Sequence, residues 1–273
     1  MIKTTTIPNF DYTKSDLIDA FKKAGIRTGD TVFSHSNIGF FGISEKGLSR
    51  ENMFRTVLTA FQEVLGPGGT LVVPTFTYSF CRGQEFDPEK SPSTCGLFTE
   101  MFRQMPQALR SQDPIFSVSA IGPKAKSLTE NVPEDCFGKE SFWELLLQND
   151  GLICNLNFDA GSTFIHYVER RLDVPYRFLK RFDGILIRDG QKIPKAAYHF
   201  CRDLSNPKLK ARFELFDFIG REKGLVKTSF AGRGAVVVIR TSDVFDLIKK
   251  EIRTIPELLT AAANDFKCIS NLS

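Results

Sequence analysis

Histidine is scarce in this chain, with three residues in 273, so each one carries weight. No stretch holds five or six like charges in a row, and the formal charge is only +4. Non-specific nucleic-acid binding is therefore not signalled, while a small anionic ligand is compatible. The six cysteines (Cys81, Cys95, Cys136, Cys154, Cys201, Cys268) lie far apart, without a CxxC or a Cys/His cluster. That spacing argues against a structural zinc site, and no metal is expected. Scattered cysteines suit free thiols in a reducing compartment. No apolar run approaches the ~20 residues of a membrane span. The stretch "MIKTTTIPNFDYTKSD" lacks the apolar segment of a secretory signal. A cytoplasmic protein is expected, with no nucleic-acid or membrane partner; a homo-oligomer is compatible.

What is abundant is phenylalanine, 26 residues against one tryptophan, which points to a Phe-rich core. Thr13–Gly25 reads as a helix with Ser15 or Asp16 as cap, and Asp30–Ser36 as a strand ending in polar residues. Helix 50–66 and strand 70–80 follow, which is the pattern of a parallel βαβ unit. Further strands are expected at 115–122 and 151–157, and helices at 97–105 and 141–150. "DGILIRDGQKIPKAAYHF" reads as a hairpin turning at Asp189-Gly190. Helix 213–224, two strands around Gly232 and helix 241–252 complete the chain. The expected fold class is α/β: a mostly parallel central sheet flanked by helices, with an α+β C-terminal region packed against it. One domain is expected over 1–273, with a core at 28–180 and a C-terminal subregion at 181–273.

Polar residues cluster at the strand ends: Ser34-His35-Ser36, Thr75 and Thr77, and the turn before Thr163. Ligands of parallel α/β sheets bind beyond the carboxyl ends of strands. One such turn is usually a helix cap; three in one sheet point to a shared ligand crevice. None is a Walker loop or a GxGxxG. Arg110-Ser111 precede the strand at Phe116, where Arg110 could grip a phosphate or carboxylate or simply be a loop arginine.

The stretch "GSTFIHYVER" holds His166 one turn into a helix that follows a buried strand. On a helical wheel Phe164, Ile165, Val168 and Leu172 form one apolar stripe. His166 lies away from it, with Glu169 at i+3. That placement argues against a core histidine and leaves two readings, a solvated helix face or a base facing the crevice. Histidine suits general-base chemistry because its ordinary pKa is about 6.5. A carboxylate beside it would fix one tautomer. Glu169 is the local candidate, and Asp203 in "HFCRDL" is one that folding could deliver. His199 is another candidate base, although its place at the hairpin edge favours a packed or solvated role.

Several stretches together resemble the aminoglycoside 3-N-acetyltransferases, a family distinct from the GNAT fold. They are "GDTVFSHSNIGFFG", "LGPGGTLVVPTFTYSF", "FDPEKSPSTCGLFTEMFRQMPQALRSQDPIFSVSAIGP", "FGKESFWELLLQNDGLICNLN" and "STFIHYVE". The resemblance covers most of residues 28–180 and implies acyl transfer from acetyl-CoA or another acyl-CoA to a sugar amine. It implies that His166 is the base, assisted by an acidic residue. It implies that Ser34, His35, Ser36, Thr75 and Thr77 line the acyl-CoA site, and it matches Arg110 and Ser111 to the family's "RS". Asp113 stands where many members have His or Asn, a departure from the pattern.

Direct transfer in a ternary complex needs no protein nucleophile; an acyl-cysteine at Cys154 or Cys81 is the other route. The mild positive charge and the basic stretch "VPYRFLKRFDGILIRDGQK" favour an anionic acceptor. The expected acceptor is therefore a nucleotide-linked amino sugar of surface-polysaccharide synthesis, with an aminoglycoside as the alternative. A non-catalytic binding protein is the alternative of another class. A hydrolase using Ser34 or Ser36 with His35 is disfavoured, because adjacent strand residues point to opposite faces.

Overall fold

The first helix, α1 (Lys14–Lys23), begins where Thr13 takes extended backbone. The Thr13 hydroxyl accepts from the Asp16 amide and the Asp16 carboxylate accepts from the Thr13 amide, a reciprocal capping box. Ser15 and Asp16, the expected caps, lie inside the first turn, where helical backbone excludes them from that role. The computed structural model describes residues 9–265; residues 1–8 and Cys268 lie outside them.

After α1 the chain runs β1 (Thr31–Ser36), α2 (Arg50–Leu65), β2 (Thr70–Pro74), α3 (Leu97–Arg103), β3 (Leu109–Arg110) and β4 (Val118–Ile121). It continues through α4 (Ala125–Thr129), α5 (Phe142–Gln148), β5 (Leu152–Leu156) and α6 (Phe164–Arg171). The hairpin of β6 (Arg177–Arg188) and β7 (Gln191–Arg202) follows, then α7 (Glu214–Glu222), β8 (Lys227–Ala231), β9 (Gly234–Arg240) and α8 (Thr241–Glu251). The hairpin turns at Asp189-Gly190 with both residues at positive φ, 52° and 74°, as a two-residue turn requires.

Among the described residues, seven strands form one sheet in the order β3-β4-β2-β1-β5-β9-β8. Its centre is parallel: β1 pairs with β2 on one side and β5 on the other. The strands outside that trio join antiparallel. The chain after residue 180 packs α8 against the sheet and also extends it. Its β9, "GAVVVIR", pairs with the open edge of β5, and β8 pairs with β9. An apolar strand there satisfies backbone groups that an uncovered edge would leave unpaired. Among the described residues only the β6–β7 hairpin stands off as its own two-stranded sheet.

Period-two alternation divides the core. Val32, Leu71, Leu152 and Cys154 face α1, α2 and α3, packing with Phe21, Phe61 and Phe98. Phe33, Val72 and Ile153 face the other way, onto Trp143 of α5, Ile165 of α6 and Ile248 of α8. The Phe33 ring meets Trp143 edge-on at 5.3 Å and His35 edge-on at 4.9 Å. The aromatic core thus leads directly to the polar end of β1.

Asn157 locks that end of the sheet. It holds φ 64° just past β5, a conformation asparagine tolerates. Its Nδ2 donates to Asn37 O at 2.8 Å and its Oδ1 accepts from Ala235 N at 2.8 Å, so the ends of β1, β5 and β9 are tied together. Asn157→Ala removes both bonds and places a less suitable residue at positive φ. A loss of about 2 kcal/mol in denaturant unfolding is expected; an unchanged midpoint would show that the tie is dispensable.

Candidate active site

The carboxyl ends of β1 and β5 and the start of α6 meet through His35 and Ser162. His35 Nε2 lies 3.3 Å from the Ser162 hydroxyl, and His35 is in register with Asn155 of β5. Asn155, fully buried, donates from Nδ2 to Asp159 O and Gly161 O, which shapes the loop leading into α6. One turn later α6 presents His166.

His166 Nδ1 is 2.6 Å from Glu169 Oε2. The two side chains are 19% and 0% exposed, so neither belongs to a solvated helix face. The wheel placed His166 off the apolar stripe, but Phe137 and Phe213 cover that side, with ring centroids 6.1 and 5.9 Å from the imidazole. Glu169 has two more partners that sequence reasoning missed. Tyr176 donates its hydroxyl to Oε1 at 2.9 Å, and Arg177 Nε sits 2.8 Å from Oε2. No motif announced them: the chain reverses after α6, and Asp173 at φ 47° brings residues 176 and 177 back under the helix.

The electrostatics follow from burial and partners. Burial pushes the His166 imidazole below 6.5, partly offset by the Glu169 hydrogen bond and charge. Burial pushes the Glu169 carboxyl up, but His166 and then Arg177 outweigh it and hold the group below its usual range. An ionised Glu169 accepts only, so His166 carries its proton on Nδ1 and keeps a lone pair on Nε2. This is the arrangement of a general base. Asp203, the rival partner, is exposed and accepts instead from the amide and hydroxyl of Ser205 in its own turn.

The other two histidines converge on the same region. His199 of β7 packs on Phe116 and Phe137, 4.9 and 6.0 Å between centroids, so Phe137 touches both His166 and His199. Burial lowers His35 to about 4, and burial with the nearby His166 and Arg177 lowers His199 to about 3. The buried Nδ1 of His199 has no hydrogen-bond partner.

The strand-end residues divide by what they bond. Ser34 and Ser36 hydroxyls pair with each other at 2.9 Å, on the sheet face opposite His35, so no Ser–His nucleophile exists there. Thr77 pairs with Ser79 at 2.7 Å. Each such pair leaves one O–H hydrogen not used between the two hydroxyls. Thr75 is committed inward, to Ser117 and Arg110.

Arg110 is not available to grip a phosphate. Its guanidinium donates to the carbonyls of Pro88, Ser91 and Thr75 and to the hydroxyls of Thr75 and Ser117. All five N–H donors are engaged within the protein. Ser111 is likewise structural: its hydroxyl accepts from Val118 N at 3.0 Å and its amide donates to Val118 O. Asp113 Oδ1 accepts from the amides of Ile115 and Phe116 and from Cys136 Sγ, a buried turn. Burial raises the thiols of Cys154 and, to about 11, Cys81, so neither is a ready thiolate.

Two outcomes follow. Arg110→Lys loses the planar fork and leaves carbonyls unmatched. Its unfolding free energy should fall by about 2 kcal/mol, while CoA affinity of the folded protein, measured by calorimetry, stays at the wild-type value; a selective loss of CoA binding would contradict the structural role of Arg110. Second, all three histidines have lowered folded pKa values. The unfolded chain then takes up protons that the folded chain refuses. Their contribution is complete above about pH 6.5 and lost as pH falls toward the folded values. His199→Gln should flatten the decline of melting temperature between pH 6.5 and 5; an unchanged slope would exclude His199 as a source.

The sequence pattern of the family described as aminoglycoside 3-N-acetyltransferase matches residues 35–253. Aminoglycoside N(3)-acetyltransferase IV of a Salmonella species is 28% identical over 240 residues, covering 86% of this chain and 85% of its own. Among solved structures, AAC-IIIb with CoASH superposes with a TM-score of 0.74 at 22% identity, over 88% of this chain and 97% of that one. A histidine-to-alanine variant of AAC(3)-IVa in complex with a gentamicin gives 0.74 at 23% identity, over 93% of each. The match spans the strand ends, the His166 helix and the hairpin alike, and this chain belongs to the aminoglycoside 3-N-acetyltransferase family.

Proposed function

We propose that this chain transfers the acetyl group of acetyl-CoA to an amine of an aminoglycoside, with His166 as general base and Glu169 as its partner. The observation that carries the proposal is the His166–Glu169 contact at 2.6 Å, which occupies Nδ1 and leaves Nε2 as the proton acceptor. The amine attacks the thioester carbonyl and forms the C–N bond. Nε2 takes the amine proton, the C–S bond breaks, and the imidazolium returns the proton to the departing CoA thiolate. Neutral imidazole is required at the start, and burial favours that form near neutral pH.

The preference for a nucleotide-linked amino sugar gives way to the aminoglycoside. That preference rested on a net charge of +4, which averages the whole surface and does not report on one crevice. The relatives in the comparison are named for aminoglycosides, and one was captured with a gentamicin. Direct transfer is favoured over an acyl-cysteine because the two candidate thiols are held protonated.

The test is release of CoA thiol from acetyl-CoA with gentamicin, kanamycin and nucleotide-linked amino sugars as acceptors. Turnover with the aminoglycosides is expected, reduced about 100-fold or more in His166→Ala. Turnover with nucleotide-linked sugars alone would overturn the acceptor. Full activity in His166→Ala would overturn the base.

A further inference from the structure

A carboxylate that holds a catalytic imidazole must itself be held, and Glu169 is held from the segment that enters the hairpin. We propose that Arg177 and Tyr176 are positioning residues that fix Glu169 beneath the His166 ring and offset its charge. The inference rests on His166 being the base.

The geometry assigns one oxygen to each task. Oε1 of Glu169 accepts from the Tyr176 hydroxyl at 2.9 Å. Oε2 lies between His166 Nδ1 at 2.6 Å and Arg177 Nε at 2.8 Å. Arg177 is itself immobilised: its side chain is 4% exposed and its Nη1 donates to Phe200 O across the hairpin. Tyr176 is raised by burial and by the Glu169 charge, so it stays a donor. With both oxygens occupied, the carboxylate cannot rotate away from Nδ1 without breaking a second contact.

Arg177 also decides how strongly Glu169 acts on the ring. An unopposed buried carboxylate would draw a proton onto the His166–Glu169 pair and block the base. The guanidinium on the same oxygen supplies the opposing charge. The other charged or titratable groups around the imidazole are His199 and Arg202 of β7. Arg202 opposes protonation as Arg177 does, but only Arg177 touches the carboxylate. The pairing of Arg177 with Arg202 at the open end of the hairpin places both cations on that segment. The hairpin therefore contributes to the base through Arg177.

The test combines an NMR titration of the His166 ring in the full chain with the pH dependence of kcat for acetyl-CoA and gentamicin. Arg177→Gln should raise the pH at which the pair takes up a proton by about one unit, and the acid limb of kcat should move up with it. Tyr176→Phe should shift the titration the same way by less. Arg177→Lys, which keeps the charge, should restore the wild-type titration while kcat stays below wild type. An unchanged His166 titration in Arg177→Gln overturns the proposal. If that variant does not fold, an unchanged titration in Tyr176→Phe overturns it instead. A shifted titration with an unmoved kcat limb would uphold the positioning role and remove His166 as the base.

Discussion

A carboxylate without access to water must be matched group by group, and Glu169 is matched by His166, Tyr176 and Arg177. Removing one partner of such a buried pair is costly because the other charge stays behind. The cluster joins three parts of the chain. His166 and Glu169 come from one turn of α6, Tyr176 from the reversal after it, and Arg177 from the first residue of β6. The position of the hairpin and the orientation of the imidazole are therefore set by one set of contacts.

The sheet supplies the platform. Its parallel centre directs the ends of β1 and β5 toward α6, and the antiparallel strands at either side close the edges. Arg110 performs a comparable service at the other side, linking β3 to the end of β2 and to the loop at Pro88 and Ser91. Two arginines thus act within the protein: Arg177 opposes a carboxylate charge, and Arg110 binds carbonyls. The buried rings of Phe33, Phe116 and Phe137 pack on Trp143 and meet the three histidines, His35, His199 and His166 respectively.

The local elements were legible because periodicity and turn chemistry are local. The βαβ unit, the hairpin at Asp189-Gly190 and the His166–Glu169 spacing all come from neighbours in sequence. What was not legible depended on residues far apart. The burial of His166 comes from Phe137 and Phe213, which a wheel does not contain. The choice of Glu169 over Asp203 needed the fold, since Asp203 turned back onto Ser205. Arg110 could be placed near strands but not given a role, because an arginine that binds carbonyls and one that binds phosphate look the same in sequence. The placement of β9 beside β5 was hidden for the same reason: an apolar run states that it is buried, not which edge it joins.

The central claim is that His166 Nε2 receives the proton of an aminoglycoside amine. The most direct measurement is a structure of the ternary complex with CoA and gentamicin. The account predicts the reacting amine within hydrogen-bond reach of Nε2, about 3 Å or through one water, with Nδ1 still on Glu169. An amine lodged against another side chain, with His166 Nε2 turned away from it, would contradict the claim.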